Sequence, residues 1–222
     1  QGNATLKLGS AAVKLSHLDK VYWPEDGYTK GDLIRFYYEI SKTILPYLKD
    51  RPLILKRYPN GINGPFFHQH DVEDAPPIVR TQRIAVEGHT VDYIIGGDLP
   101  TLLYMANLGA IERHPWNSRV SDLDRPDWVV FDLDPGKVEF AVICELAMGV
   151  KAVIEGLHLE CYAKTSGSRG LHVYVPIKPV HSYDEVAEFA AGVAARVVKA
   201  HPRIATTERS LQKRNPKQIY VD

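Results

Sequence analysis

The sequence predicts an α/β (α+β) protein with a mixed central sheet flanked by helices, and three observations support this. The run Val129-Val130-Phe131-Asp132-Leu133-Asp134 is apolar apart from two carboxylates and halts at Pro135-Gly136, the pattern of a buried strand ending in a turn. Apolar residues recur at helical spacing on both sides of it: Leu33, Phe36, Tyr37, Ile40, Ile44 and Leu48 before, and Val186, Phe189, Ala190, Val193, Val197 and Val198 after. Between and beyond these, helical and strand patterns alternate, with a helix over 138–155, strands over 159–165 and 171–175, a helix over 182–200, and a strand at Ile219-Tyr220-Val221-Asp222.

In chain order, residues 1–13 are small and polar and are expected to form a flexible N-terminus, leaving 14–222 as the folded domain. Lys20-Val21-Tyr22-Trp23-Pro24 precedes Thr29-Lys30-Gly31-Asp32, where Thr29 and Asp32 have the spacing of a capping box. The apolar stripe of the helix that follows is core. Lys30 falls in its first turn, where a cation opposes the helix dipole but suits a bound phosphate; by themselves Lys20 and Lys30 read as surface lysines. Residues 52–58 form a strand turned by Pro59-Asn60-Gly61. Phe66 and Phe67 are neighbours on an extended chain, so they face opposite ways: one packs and the other is free to stack on a base. His68 and His70 lack a third metal ligand nearby and read as ordinary hydrogen-bonded histidines. Strands over 84–86 and 91–95 are joined by a turn at Glu87-Gly88-His89. Residues 100–110 form a buried helix, with Glu112-Arg113-His114-Pro115-Trp116 as its polar exit.

Chemistry concentrates in the second half. Alternation puts Asp132 and Asp134 on one side of their strand and turns Phe131 and Leu133 into a core. Adjacent carboxylates repel, and a divalent cation between them removes the repulsion; oxygen ligands favour Mg²⁺ or Mn²⁺. The same residues also suit a plain Asp-Pro-Gly turn. The loop Ser166-Gly167-Ser168-Arg169-Gly170 joins two strands and offers amides, hydroxyls and a guanidinium fork, the makings of a triphosphate cradle or of an ordinary hairpin turn. It is not a Walker loop, since a strand follows where that motif needs a helix. Arg203, Arg209, Lys213, Arg214 and Lys217 form the densest basic stretch, either a phosphate-tracking surface or a solvated loop.

Composition sets limits. Lysine plus arginine and aspartate plus glutamate both number 27, so formal net charge is zero and any polyanion must be gripped by local basic patches. The two cysteines, Cys144 and Cys161, have neither metal-ligand spacing nor the makings of a disulfide framework, which suits a reducing compartment. With no run of transmembrane length and no secretory pattern, a cytoplasmic protein is expected.

The segments DKVYWP, TKGDL, LKRYPNG, GPFFHQH, VFDLDPG, KTSGSRGLHVYVP and IYVD, in that order, resemble the polymerase domain of bacterial ligase D, a member of the archaeo-eukaryotic primase superfamily. The resemblance implies a primase-polymerase fold with an N-terminal subdomain, and a template-directed nucleotidyltransferase of non-homologous end joining that fills gaps at breaks with Mn²⁺, or Mg²⁺, as a pair of ions, preferring ribonucleotides. Residue by residue, it implies Asp132, Asp134 and Asp222 as catalytic metal ligands; His114, Ser166, Arg169, His172 and Lys56 (or Arg57) as contacts to the nucleotide; Lys20 and Lys30 as the pocket for a 5′-phosphate on DNA; and Phe66 and Phe67 as the template-stacking pair. Implied partners are 5′-phosphorylated DNA gaps or ends, nucleoside triphosphates, Ku and a DNA ligase in the bacterial nucleoid. Arg169 stands where many relatives have lysine, which keeps the charge. Family domains continue past the third aspartate, so a C-terminal segment is expected to be lacking. Two other functions compete: a non-catalytic DNA-end-binding module that recruits ligase and Ku, and a metal-dependent phosphoesterase.

Overall fold

Alternation of apolar residues begins earlier than expected. In the computed structural model, which describes residues 2–86 and 88–222, Ala4–Leu8 (β1) and Ala11–Leu15 (β2) pair as an antiparallel hairpin. Val13 is 1% exposed in it, so this stretch is a folded part of the core and not a flexible lead-in. Two compact units follow from the contacts, Gln1–Ser121 and Asp122–Asp222.

In the first unit, Val21–Trp23 (β3) and Tyr28–Thr29 (β4) lead into Lys30–Glu39 (α1). The capping box forms as expected: Asp32 N–H donates to Thr29 Oγ1 at 3.2 Å, and Thr29 N–H donates to Asp32 Oδ2 at 2.8 Å. The stripe breaks at Ile40, where Ser41–Leu48 (α2) begins; Leu33, Tyr37 and Leu48 are buried, but Phe36 is 51% exposed, so the apolar face is narrower than its spacing predicts. Then come Pro52–Arg57 (β5), Phe67–Gln69 (β6), Thr81–Val86 (β7), His89–Ile95 (β8), Leu99–Asn107 (α3) and Ala110–Pro115 (β9). β9 pairs along one edge of β5, while β8 and β6 share the other. Glu87, in the expected turn between β7 and β8, lies outside the described residues.

Glu112-Arg113-His114 is a strand and not the exit of a helix. The reason is Gly109: its φ of +75° ends the helical path, and a Cβ there would lie 2.6 Å from the Tyr22 hydroxyl.

The second unit comprises Trp128–Pro135 (β10), Phe140–Glu155 (α4), Tyr162–Thr165 (β11), Leu171–Pro176 (β12), Tyr183–Ala200 (α5), Ala205–Thr206 (β13) and Ile219–Val221 (β14). Its five-stranded sheet runs β11-β12-β10-β14-β13, antiparallel except for the β13–β14 pair. Val129, Phe131, Leu133, Val173, Val175 and Val221 pack with Ile143, Leu146, Val150, Val193 and Val197 of the two helices in one core. Each such side chain contributes roughly 1.5–3 kcal/mol on burial. One face thus holds the unit together, and the other is left to polar residues. Among the described residues, no helix is long and apolar enough to cross a membrane.

Candidate active site

The polar face of the second unit's sheet is set by register. Asp132 lies opposite His172, and Lys164 lies opposite His172 on the far side. Asp132 and Asp222 exchange both backbone hydrogen bonds, each at 3.0 Å, which makes them a directly opposed pair. Directly opposed residues share a face, so Lys164, His172, Asp132 and Asp222 form one row across four strands, and Asp134 projects from the same face one pleat along. The predicted metal-binding carboxylates therefore share one face.

Burial pushes the Asp132 carboxyl above the ordinary aspartate range; His172 opposes this, while Asp134 and Asp222 add to it. Burial likewise pushes the His172 imidazole down, against the pull of Asp132, whose Oδ1 is 3.6 Å from Nε2. The buried Nδ1 of His172 has no hydrogen-bond partner. Each carboxylate has its own neighbour. Arg214 Nη1 donates to Asp134 Oδ2 at 3.3 Å, and the Tyr220 hydroxyl donates to Asp222 Oδ1 at 2.9 Å. The Arg214 guanidinium also donates to the carbonyls of Glu208 and Arg209 and lies 4.0 Å over the Tyr220 ring, leaving its side chain 10% exposed. In its basic stretch, Arg214 is thus neither solvated nor phosphate-tracking. Among the described residues, no group of three His, Cys, Asp or Glu side chains closes into a metal cage. The donors nonetheless fit a hard divalent cation in kind: oxygen ligands of one sign on one face, with the His172 Nε2 beside them.

The glycine-rich loop borders this row. Ser166 Oγ accepts from the N–H groups of Gly170, at 3.1 Å, and Ser168, at 3.4 Å, so its hydroxyl shapes the loop itself. Gly170 is required by close approach, since a Cβ would sit 2.6 Å from the Leu133 carbonyl oxygen. Asp132, Asp134, Ser166, Arg169, Gly170 and His172 line a cavity of about 140 Å³, and Arg169 is exposed at it. The structure thus brings together five of the predicted second-unit residues around one hollow, with Asp222 in the adjoining row.

The remaining predicted residues belong to the first unit. Lys30 is 5% exposed, against the reading as a surface lysine; its Nζ donates to the Ser16 carbonyl at 2.7 Å. Burial, with Lys20 and Arg57 nearby, lowers its pKa to about 8. Lys20 remains exposed and donates to the Pro59 carbonyl at 2.6 Å and to Asn60 Oδ1 at 2.7 Å. Lys56 pairs with Glu112 Oε1 at 2.7 Å and lies 4.6 Å from the Phe66 ring centre. His114 Nε2 is 3.7 Å from Glu112 Oε2, and the His114 and His68 ring centres are 6.0 Å apart. Phe66 and Phe67 are 52% and 45% exposed: neither packs into the core, and they serve opposite sides of β5, Phe66 beside Lys56 and Phe67 beside Arg57. Arg57 turns away from Lys56, donating to Gln69 Oε1 and the Leu108 carbonyl.

Sequence reasoning missed Lys164, Tyr220 and Glu112, and missed what Arg214 does. Strand alternation across from His172 and Asp134 could have flagged the first two once the pairing was known. Glu112 and Arg214 are defined by long-range contacts that leave no local mark.

Residues 29–222 match the family model described as LigD, primase-polymerase domain. The chain is 33% identical over 214 residues to the multifunctional non-homologous end joining protein LigD of Mycolicibacterium smegmatis, covering 95% of this chain and 28% of that protein. It is 32% identical to the bifunctional non-homologous end joining protein LigD of Bacillus subtilis, covering 95% of this chain and 34% of that one. It thus spans about a third or less of these relatives' length. Among solved structures, it is similar to the polymerase domain from Mycobacterium tuberculosis ligase D in complex with DNA, with a TM-score of 0.89 and 32% identity over 95% of this chain and 76% of that one.

Proposed function

The chain belongs to the family of LigD primase-polymerase domains, and from that premise we propose that it is a template-directed nucleotidyltransferase of DNA break repair by non-homologous end joining. It binds a 5′-phosphorylated gap or end and adds nucleotides, preferably ribonucleotides, to a 3′-hydroxyl. One observation carries this reading: Asp132 and Asp222 face each other across β10 and β14, with Asp134 on the same face and the Ser166–Gly170 loop beside them.

In this reading the 3′-hydroxyl gives up its proton to water as its oxygen forms a bond to the α-phosphorus of the incoming triphosphate, the bond from that phosphorus to its bridging oxygen breaks, and pyrophosphate leaves. Asp132, Asp134 and Asp222 would hold two divalent cations, Mn²⁺ or Mg²⁺, which when bound supply Lewis-acid activation of the hydroxyl and charge neutralisation of the leaving group. Arg169 offers a two-pronged donor to the phosphate oxygens, and the amides of the loop add neutral donors. His172 lines the same cavity, with its Nε2 3.6 Å from Asp132 Oδ1, and would contact the nucleotide there. Lys56 and His114 contribute nucleotide contacts, Lys20 and Lys30 receive the 5′-phosphate, and Phe66 and Phe67 stack on template bases. Ku and a DNA ligase are the proposed partners, and the bacterial nucleoid the proposed location.

The test is extension of a labelled primer on a gapped duplex with or without a downstream 5′-phosphate, in Mn²⁺, with ribo- or deoxyribonucleoside triphosphates. Phosphate-stimulated extension favouring ribonucleotides is expected, and Asp132→Ala should abolish it while gap binding persists. Tight phosphate-dependent binding without any extension by the parent would replace this reading with an end-binding module.

A further inference from the structure

Strand β9 is fastened from behind by a buried arginine set against the side chain of Tyr37. Glu112 and His114 alternate onto the face shared with Lys56, and Arg113 between them projects to the other side, opposite Leu55, which is 1% exposed. All three guanidinium nitrogens of Arg113 are buried without a hydrogen-bond partner. The guanidinium carbon lies 3.6 Å from the centre of the Tyr37 ring, and the Tyr37 hydroxyl donates to the Ile111 carbonyl at 2.7 Å. One tyrosine of α1 therefore grips β9 twice, at Ile111 through a hydrogen bond and at Arg113 through a stack.

This is a poor way to build a core. A buried cation without acceptors is destabilising, and a methionine of similar length would fill the space without that penalty. Burial pushes the guanidinium below its ordinary pKa, in keeping with that strain on the charge. What arginine adds is a rigid plane whose stack on the ring fixes the rotation of the strand about its own axis. Alternation transmits that rotation to the reverse face. There Glu112 accepts from Lys56 at 2.7 Å and from the Tyr58 hydroxyl at 3.0 Å, and lies 3.7 Å from His114, so its direction sets where both basic groups point.

We propose that Arg113 is a positioning residue for nucleotide binding: stacked on Tyr37, it holds the Glu112–His114 pair in the orientation that presents Lys56 and His114 to an incoming triphosphate. The inference rests on the reading of that face as nucleotide-binding.

Arg113→Met and Arg113→Lys in the full 222-residue chain test it. Arg113→Met should leave the melting temperature unchanged or raised, move the His114 imidazole resonances in the nucleotide-free protein, and raise KM for a ribonucleoside triphosphate by about tenfold with kcat changed by less than about twofold. Arg113→Lys, which keeps the charge and loses the plane, should recover less than half of that loss. Tyr37→Phe keeps the ring and removes the bond to Ile111; it should raise KM by about threefold and serves if the methionine variant does not fold. Parental KM and unmoved His114 resonances in Arg113→Met, or full recovery by lysine, would overturn the positioning role. A parent that binds no triphosphate at all overturns the functional reading, and the nucleotide half of this inference with it. In that case moved His114 resonances would still separate the mechanical grip from its use.

Discussion

The two units store poorly compensated charge of opposite sign. In the first, Lys30 and Arg113 are cations taken out of water, Lys30 against neutral oxygens of Ser16 and Arg113 against the Tyr37 side chain. In the second, Asp132, Asp134 and Asp222 gather on one sheet face, with the Arg214 guanidinium on Asp134 and Lys164 and His172 in the row beside Asp132. A chain whose formal charge is zero is therefore far from neutral where it matters. Under the proposed function, ligands from outside the fold would offset part of this charge: a 5′-phosphate at Lys30 in the first unit and divalent cations at the aspartates of the second.

That contrast can be broken or sharpened by experiment. The largest effect is expected in the second unit. Asp132→Asn should reduce primer extension by at least about a thousandfold, roughly 4 kcal/mol of transition-state stabilisation, while melting in metal-free buffer stays the same or rises because like charges no longer oppose each other. A clear fall in melting temperature would instead make the carboxylates structural.

In the first unit, Lys30→Met should lower the preference for 5′-phosphorylated over unphosphorylated gaps by about tenfold or more, the size of a lost charge-assisted hydrogen bond. The pH dependence sharpens this. The folded pKa of Lys30, about 8, lies below its ordinary 10.5, so above pH 8 the unfolded chain binds more protons at this group. Stability should thus rise from about pH 8 toward 10.5 as the buried charge is discharged, while phosphate preference falls over the same window, measured by melting and by gap-binding titrations. Lys30→Met should remove both trends.

Smaller changes follow from neutral contacts. Phe66→Ala and Phe67→Ala should each weaken binding to template by about 1–2 kcal/mol of lost stacking, read by the fluorescence of a base analogue opposite the gap. Because the two rings sit on opposite sides of β5, their effects should add. Thr29→Ala should cost about 1 kcal/mol of stability in denaturant unfolding, since it opens the capping box at the start of the helix that bears Lys30.

Much of this site was legible in the sequence because it rests on local rules. Period-two alternation placed Asp132 and Asp134 together and Phe131 and Leu133 in the core, and the Thr29–Asp32 spacing located the start of α1. The partnership of Asp132 with Asp222 came from resemblance, because pairing between β10 and β14 is a long-range choice that no local pattern encodes. Burial of Lys30 was misread for a related reason: its exposure depends on how β2 and the Ser16 carbonyl return over the helix end. The segment after α3 was misread because Gly109 can end a helix by turning straight into a strand as readily as into a loop.

The pairing of Asp132 with Asp222 also has a consequence in time. The two residues are 90 positions apart in sequence, whereas β11 and β12 meet across the short Ser166–Gly170 loop and α4 and α5 form from neighbouring residues. Contacts that close long loops lag behind local ones in folding. The hairpin and helices can therefore gather their apolar face while β10 still shows only two of its aspartates, and the third arrives when β14 slides in between β10 and β13. The mutual repulsion of the cluster then weighs on a nearly finished structure and not on its nucleus, so it should quicken unfolding more than it slows folding.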